Sequence, residues 1–345
     1  MTSGLAAVDR ISVVEIGDST LRGIGQVVLQ NNPWTGLVIL AAICVNSWIY
    51  GTLCLLGALL ATLTAVVFGA DRGAIRAGLH GFNGALVAIA LDAYTSSNYT
   101  AGTIPGWQLI TLTVFAVVLS VFVAMAIGKF TSLVGLPALT ASFIVVSLVF
   151  VSGALAVPMI ESAPLEAPAF ANPEELAAPY TLATFLEGSG KGVGQVFLQD
   201  NYITGALILV GIAINTRIGA LMALLGCVLS TGIAMALGYP EANIHAGLYG
   251  YNGVLTAIAL GGLFFVLTWR SFLFTMLGVV LTFEVTAGLA TILTRVGLPV
   301  YTASFVLVTW VLLAAGQSAR TLRYVMPADA TTPEEILRAQ GKPPF

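Results

Sequence analysis

The segment Gly23-Ile-Gly-Gln-Val-Val-Leu-Gln-Asn-Asn32 is followed 169 residues later by the closely similar segment Gly192-Val-Gly-Gln-Val-Phe-Leu-Gln-Asp-Asn201. The similarity extends without a gap over residues 21–91 and 190–260, where close to half of the aligned residues are identical. A second block follows at an offset of 162, where Val134-Gly-Leu-Pro-Ala-Leu-Thr-Ala-Ser-Phe143 matches Val296-Gly-Leu-Pro-Val-Tyr-Thr-Ala-Ser-Phe305. A duplication of this length predicts two halves with the same fold.

The composition is typical of an integral membrane protein. Of the 345 residues, 58% are hydrophobic and 8% are charged, whereas a soluble domain has about 25% charged residues. A membrane-spanning helix needs about 20 apolar residues, and the first half contains five such segments, at roughly 34–50, 52–68, 77–94, 107–128 and 137–158. We therefore predict an all-α polytopic membrane protein with five transmembrane helices in each half.

Each half also begins with a segment that is too polar and too short to cross the bilayer, at 18–31 and at 188–200. A helix of about twelve residues rises roughly 18 Å, which is around half of the bilayer. We predict that each segment forms a half-spanning helix, and that the two helices approach from opposite faces and outline a pore.

An odd number of spans in each half makes the second half enter the membrane from the other side, which predicts two inverted repeats. The predicted boundaries are an N-terminal segment at 1–17, the first repeat at 18–158, an acidic extracytoplasmic linker at 159–187, the second repeat at 188–316 and a cytoplasmic C-terminal tail at 317–345. Cytoplasmic loops are enriched in Lys and Arg. With both termini in the cytoplasm, only Lys191 and Arg295 lie outside, and the other eleven basic residues lie inside: Arg10, Arg22, Arg72, Arg76, Lys129, Arg217, Arg270, Arg320, Arg323, Arg338 and Lys342.

The duplicated polar residues suit a small, neutral solute that forms hydrogen bonds. Gln26 and Gln195 offer amide groups and Thr140 and Thr302 offer hydroxyls, while Leu86 and Leu255 would form flat apolar walls. The glycine and proline breaks at 135–137 and 297–299 would add backbone carbonyls. A structural interpretation stays open for each of these residues, because a Gln can cap backbone groups and a Thr can bond back to its own helix.

The other polar residues in apolar segments favour structural roles. Glu284 is the one acid that we predict to be buried well inside a span, and its counterpart in the first repeat is Phe122, which favours a structural or subunit contact over a place in the pore. We expect Asp92 to be solvated at the end of a span. His80 and His245 are not repeat partners, which favours structural roles over proton transfer. We predict no cofactor, no metal and no nucleic-acid partner.

The duplicated motifs resemble those of the urea transporter family, specifically its bacterial members. The most specific are Leu136-Pro-Ala-Leu-Thr140 with Leu298-Pro-Val-Tyr-Thr302, the duplicated Gly-Gln-Val, and Gly-aromatic-Asn-Gly-x-Leu at 81–86 and 250–255. The resemblance implies a homotrimer with one pore per subunit, passive conduction of urea, and a place in the bacterial inner membrane.

The resemblance also implies roles for individual residues. Thr140 and Thr302 match the threonines of the narrow central site, which Leu86 and Leu255 flank, and Gln26 and Gln195 match positions that guard the two mouths. The remaining matches are the aromatic walls that stack against urea and the facing surface of the half-helices: Phe82, Tyr251, Val27, Leu29, Val196 and Leu198. Two of them depart from the usual pattern, since Tyr251 stands where bacterial relatives usually have Phe and Leu29 where an aromatic residue also occurs.

Three other functions remain possible on the residues alone. One is a channel for ammonia, glycerol or short amides. A second is an ion-coupled transporter that uses Glu284 or His80 as its coupling residue. The third is an intramembrane enzyme, which the sequence disfavours because it contains none of the usual hydrolase motifs.

Overall fold

The computed structural model describes residues 11–95, 106–156 and 180–341. Within these ranges the regular secondary structure is helical, apart from one isolated β-bridge between Phe265 and Tyr324. The helices of the first half are α1 Val13–Gln26, α2 Pro33–Asn46, α3 Trp48–Val67, α4 Arg72–Arg76, α5 Gly81–Thr95, α6 Trp107–Ser132 and α7 Ala141–Leu155. Those that follow are α8 Leu182–Gly194, α9 Tyr202–Asn215, α10 Arg217–Ala236, α11 Glu241–His245, α12 Tyr251–Ile258, α13 Trp269–Leu293, α14 Ala303–Gln317 and α15 Pro333–Ala339.

The predicted helical membrane fold is confirmed, but its spans are less uniform than predicted. In the part of the chain that the structure describes, four helices are long and apolar enough to cross a bilayer: Trp48–Val67, Trp107–Ser132, Arg217–Ala236 and Trp269–Val296. The predicted spans at 77–94 and 137–158 begin instead at Gly81 and Ala141. The reason is that residues 77–80 form a turn and residues 133–140 are not helical, so α7 rises only about 22 Å at 1.5 Å per residue.

The two short helices that open the halves begin earlier than predicted. α1 begins at Val13 because Ser12 and Glu15 form a capping box, and α8 begins at Leu182 because Thr181 and Thr184 do the same. Residues 182–187, predicted as linker, are therefore helical, whereas the rest of that linker lies largely outside the described residues. α8 continues into a 3₁₀ turn at Gln195–Phe197, and the segment Leu182–Phe197 makes an angle of 69° with α9.

The backbone repeats its unusual conformations pair by pair across the two halves. Leu29 and Leu198 have φ of 61° and 57°, and Leu139 and Tyr301 have φ of 50° and 49°. Residues other than glycine rarely adopt this left-handed region, and they keep it only where the surrounding structure enforces it. The two pairs stand at the offsets of 169 and 162 that relate the two sequence blocks, so the duplication in sequence is also a duplication in backbone structure.

α2 and α9 pack against each other in the middle of the molecule and run in opposite directions. The Thr35 hydroxyl donates to the Gly211 carbonyl at 2.7 Å, and its repeat partner Thr204 donates to the Ala42 carbonyl at 3.1 Å. At one end of this interface Asn215 Nδ2 donates to Gln30 Oε1 at 2.8 Å. At the other end Asn46 Nδ2 donates to Gln199 Oε1 at 2.8 Å. Each of these hydrogen bonds thus occurs twice, once from each half.

The C-terminal tail is folded against the body of the protein. Val266 N donates to the Arg323 carbonyl and Val325 N to the Phe264 carbonyl, each at 2.9 Å. Burial raises the pKa of the Tyr324 hydroxyl, which keeps it protonated as a donor to the Gly135 carbonyl. The tail therefore joins the α12–α13 connection to the non-helical segment that precedes α7.

Candidate solute pathway

A cavity of about 1040 Å³ opens at one end of the helical body and extends inward to Thr140. Five of the twelve predicted site residues line it: Gln26, Val27, Leu29, Phe82 and Thr140. The other seven do not line this cavity. Six of them, in the second half, take the positions that correspond to residues of the first half, and Leu86 is buried on α5.

The two predicted threonines meet at the inner end of this cavity. Thr140 Oγ1 and Thr302 Oγ1 lie 2.7 Å apart, within hydrogen-bonding distance, and both residues are 3% exposed. Each Thr precedes a helix, α7 or α14, and neither forms a side-chain cap on it. The alternative in which each Thr bonds back to its own helix is therefore wrong, and the hydroxyls instead pair with each other across the two halves.

The two predicted glutamines form one hydrogen bond each, in the same way. Gln26 Nε2 donates to the Ala77 carbonyl at 2.9 Å and Gln195 Nε2 donates to the Ala246 carbonyl at 2.8 Å. Both side chains are partly exposed. Each Gln thus holds the turn before α5 or α12, as the structural interpretation expects. Because this bond uses the amide nitrogen, it also sets the direction in which the amide oxygen points.

The predicted apolar walls are buried. Leu86 and Leu255 are 1% and 0% exposed, and Val27 and Val196 are 1% and 2% exposed. Because Leu29 and Leu198 adopt left-handed backbone conformations directly after the short helices, the chain turns there without any glycine. The two short helices are therefore followed by the same backbone turn in both halves.

The aromatic pair differs between the halves. Phe82 has no hydroxyl, whereas Tyr251 Oη donates to the Tyr301 carbonyl at 2.8 Å. Asn252 Nδ2 donates to the same carbonyl at 3.1 Å, while its partner Asn83 accepts from Phe143 N at 3.1 Å. Each asparagine thus bonds to the backbone of a neighbouring segment, while Asn83 also lines the cavity and its Nδ2 has no partner among the described residues.

Two elements of the cavity wall were not predicted from the sequence. Residues of the C-terminal tail between Pro327 and Glu335 line the cavity, although the tail was expected only to be cytoplasmic. Glu334 anchors this tail, because its carboxylate accepts from Thr216 Oγ1 at 2.6 Å and from Ile218 N at 2.9 Å. The other element is Asn215, which was identifiable because it repeats Asn46 at the offset of 169.

We predict that Glu334→Ala releases the tail. A hydrogen bond to a charged group contributes about 1.5–3 kcal/mol, so losing both should raise the rate of chymotrypsin cleavage between α14 and α15 by on the order of a hundredfold or more. Arg338→Ala, an exposed change on the same short helix, should leave the rate unchanged. Intact mass measurement follows the cleavage. Equal cleavage rates for Glu334→Ala and the unaltered protein would show that Glu334 does not anchor the tail.

The ionisable residues in the apolar segments also need correction. Glu284 is exposed on the outer surface of α13 and does not line the cavity, whereas Asp92, expected to be solvated, is 4% exposed. His80 lines the cavity, and neither ring nitrogen has a hydrogen-bond partner among the described residues. His245 Nε2 lies 2.9 Å from Glu187 Oε2 and belongs to a surface cluster.

Apolar helices long enough to cross a bilayer, around a cavity that ends at buried, paired hydroxyls, define a membrane transport protein for a small polar solute. The family model for the urea transporter matches residues 17–317, and the chain belongs to the urea transporter family. It is 31% identical over 329 residues to Urea transporter 1 of Ovis aries and of Rattus norvegicus, and 30% identical to that of Mus musculus. Each alignment covers 95% of this chain and 84% of the relative.

Proposed function

We propose that this chain conducts urea passively through a narrow slot between two inverted repeats, each made of five spans and a half-spanning helix. The pairing of Thr140 and Thr302 carries the proposal, because it places two duplicated hydroxyls together at the inner end of the cavity. The antiparallel contact of α2 and α9, made twice with the partners exchanged, supports inversion of the repeats.

The chemistry of urea fits such a slot. Urea offers N–H donors and a carbonyl acceptor, and a hydroxyl both donates and accepts. When urea enters, its hydrogen bonds with Thr140 and Thr302 replace the one between the two hydroxyls, so the exchange changes the free energy little. Leu86 and Leu255 have no polar group that could replace the water around an ion, so the slot excludes ions.

We infer the orientation from the Lys and Arg residues at the open end of the cavity. Lys129 lines the cavity, and Arg72 and Arg217 begin helices directly beside lining residues. Since Lys and Arg mark the cytoplasmic side, this is the cytoplasmic mouth, and both termini are cytoplasmic. Gln195, Val196, Leu198 and Tyr251 would line the opposite mouth. We further propose a homotrimer in a bacterial inner membrane.

The position of Glu284 bears on coupled transport, the second candidate mechanism. A coupling carboxylate has to face the solute pathway, but Glu284 lies on the outer surface of α13. His80 lines the cavity, so it is the residue on which a coupled mechanism would depend.

Urea uptake into proteoliposomes tests passive conduction. In stopped-flow light scattering, we expect urea to equilibrate at the same rate with and without a proton or sodium gradient. We expect proteoliposomes with His80→Gln to reach the same final urea concentration. Accumulation of urea above the external concentration, driven by either gradient, would contradict the proposal. Faster permeation of ammonia or glycerol than of urea would contradict the slot chemistry.

A further inference from the structure

A second, smaller cavity of about 100 Å³ lies between α3, α5 and α6, away from the solute pathway. Its wall consists almost entirely of aliphatic side chains, including Leu53, Leu60 and Val117. Asp92, in the last turn of α5, is the only ionisable group among the described residues of this wall. Its side chain is 4% exposed, and Oδ1 has no hydrogen-bond partner among the described residues. One oxygen of this buried carboxyl group thus lacks a donor among the described residues.

The cavity faces the hydrocarbon side of the protein. Leu56, Ile110 and Val114 line it and are 54%, 45% and 42% exposed, and they lie on α3 and α6, two of the four long apolar helices. These helices begin at Trp48 and Trp107, which are 59% and 71% exposed. Tryptophan concentrates at the membrane–water interface, so the cavity opens toward the lipid near one surface of the bilayer.

The cavity begins at the depth of the lipid head groups and extends inward along α3 and α6. Ile110 and Thr113 follow Trp107 by three and six residues, which places them about 4.5 and 9 Å further along the helix axis at 1.5 Å per residue. The head-group layer on each side of the hydrocarbon core is about 5–8 Å thick. A group bound to Asp92 is therefore at the level of a head group or of the first carbons of an acyl chain.

The chemistry of the wall selects the ligand. A buried carboxylate oxygen that lacks a donor is costly in an apolar environment. The one hydroxyl among the described lining residues, Thr113 Oγ1, donates to its own helix at the Leu109 carbonyl. A primary ammonium both neutralises a carboxylate and donates up to three hydrogen bonds to it. At about 30 Å³ for one water, the cavity has room for about three non-hydrogen atoms, which matches the nitrogen and two carbons of an ethanolamine group.

We propose that this cavity binds the head group of phosphatidylethanolamine, with the ammonium donating to Asp92 and one acyl chain lying along Leu56 and Val114. The second half has no equivalent site, because the partner of Asp92 at the offset of 169 is Gly261. The space beside Gly261 is filled, since an added Cβ would lie 2.8 Å from Met222 Cγ. The proposal therefore predicts one bound lipid per chain.

Native mass spectrometry of the purified full chain tests this site. Equimolar phosphatidylethanolamine and phosphatidylcholine with identical acyl chains would compete for the protein, because the trimethylated head group has no N–H donor. We expect one tightly bound phosphatidylethanolamine per chain and a preference on the order of tenfold, the factor that a hydrogen bond to a charged group provides. Asp92→Leu, of similar size, should abolish the preference.

Glu284→Gln is the matched control, because it removes a carboxylate from the exposed surface of another long apolar helix. It should keep the preference, and unchanged urea uptake by Asp92→Leu would show that this variant is folded. Equal binding of the two lipids by the unaltered protein, or a preference that survives in Asp92→Leu, would overturn the proposal. A third contradicting result would be that the unaltered protein shows no lipid preference while Asp92→Leu makes oligomers dissociate. The cavity would then be a contact between subunits.

Discussion

The double substitution Thr140→Val and Thr302→Val is expected to reduce urea flux by about tenfold or more. Each valine keeps the shape of the threonine and removes a hydroxyl that would bond to urea, at about 0.5–1.5 kcal/mol for each hydrogen bond, and 1.4 kcal/mol in a barrier corresponds to a factor of about ten in rate. Stopped-flow urea uptake into proteoliposomes, with the amount of inserted protein matched, measures the effect.

The same pair makes a separate prediction for stability. In the unaltered protein the two hydroxyls satisfy each other at 2.7 Å. Replacing both with apolar groups of the same shape is close to neutral, whereas replacing one leaves the other hydroxyl buried without its partner, at a cost of about 1–3 kcal/mol. We therefore expect either single variant to unfold at a lower temperature than the double variant, although the double variant conducts least.

The chain contains a matched control for these variants. Thr256 Oγ1 and Thr282 Oγ1 lie 2.9 Å apart, are fully buried between α12 and α13, and do not line the cavity. The double substitution Thr256→Val and Thr282→Val should leave urea flux unchanged. Unaltered urea flux in the double variant of Thr140 and Thr302 would show that these residues do not contact urea. An equal loss of flux in both double variants would show that buried valines reduce flux in general.

The second large effect is expected from Gly36→Ala, which should destabilise the contact between α1 and α2. A Cβ built on Gly36 would lie 1.8 Å from the Leu21 carbonyl oxygen, and one on its repeat partner Gly205 would lie 1.8 Å from the Gly190 carbonyl oxygen. Both obstacles are backbone atoms, so the helices must separate by more than an ångström. Overpacking of this kind costs about 1–3 kcal/mol or more.

Thermal unfolding followed by size-exclusion chromatography in detergent measures this change. Gly36→Ala and Gly205→Ala should lower the unfolding temperature by similar amounts, because the two contacts are equivalent. Gly232→Ala in α10, where no atom lies within 4 Å of the added Cβ, should leave it unchanged or raise it, since alanine favours a helix by about 1 kcal/mol over glycine. An unchanged unfolding temperature in Gly36→Ala would show that α1 is not held against α2 as described.

Where a residue has a partner in the other repeat, the sequence predicted which candidate residues lie together. Gln26 and Thr140 stood out because each occurs twice in a segment that interrupts regular helix, and the structure places both on one cavity. Asp92 and Glu284 have no acidic partner in the other repeat. Asp92 is buried where we expected it to be solvated, and Glu284 is exposed where we expected it to be buried, although it lies outside the cavity as expected. Position along an apolar segment gives depth in the membrane, but in a helix the direction of a side chain depends on which neighbours pack around it.

The sequence by itself determined the class of the protein and its duplication. An apolar composition excludes a soluble fold, and two blocks of similar sequence require two similar backbones, which the paired left-handed residues Leu29 with Leu198 and Leu139 with Tyr301 display. The duplicated motifs also identified the urea transporter family, to which the chain belongs. These properties depend on residue types and spacing alone.

Only the tertiary structure decided how the halves meet. The hydrogen bond between Thr140 and Thr302 joins residues 162 positions apart, and Glu334 reaches Thr216 across 118 positions to make the tail part of the cavity wall. Such contacts leave no periodic pattern in the chain, because they depend on helices from both halves packing at one place. The duplicated Thr and Gln residues that opened the sequence comparison thus became a site only when the two copies were folded against each other.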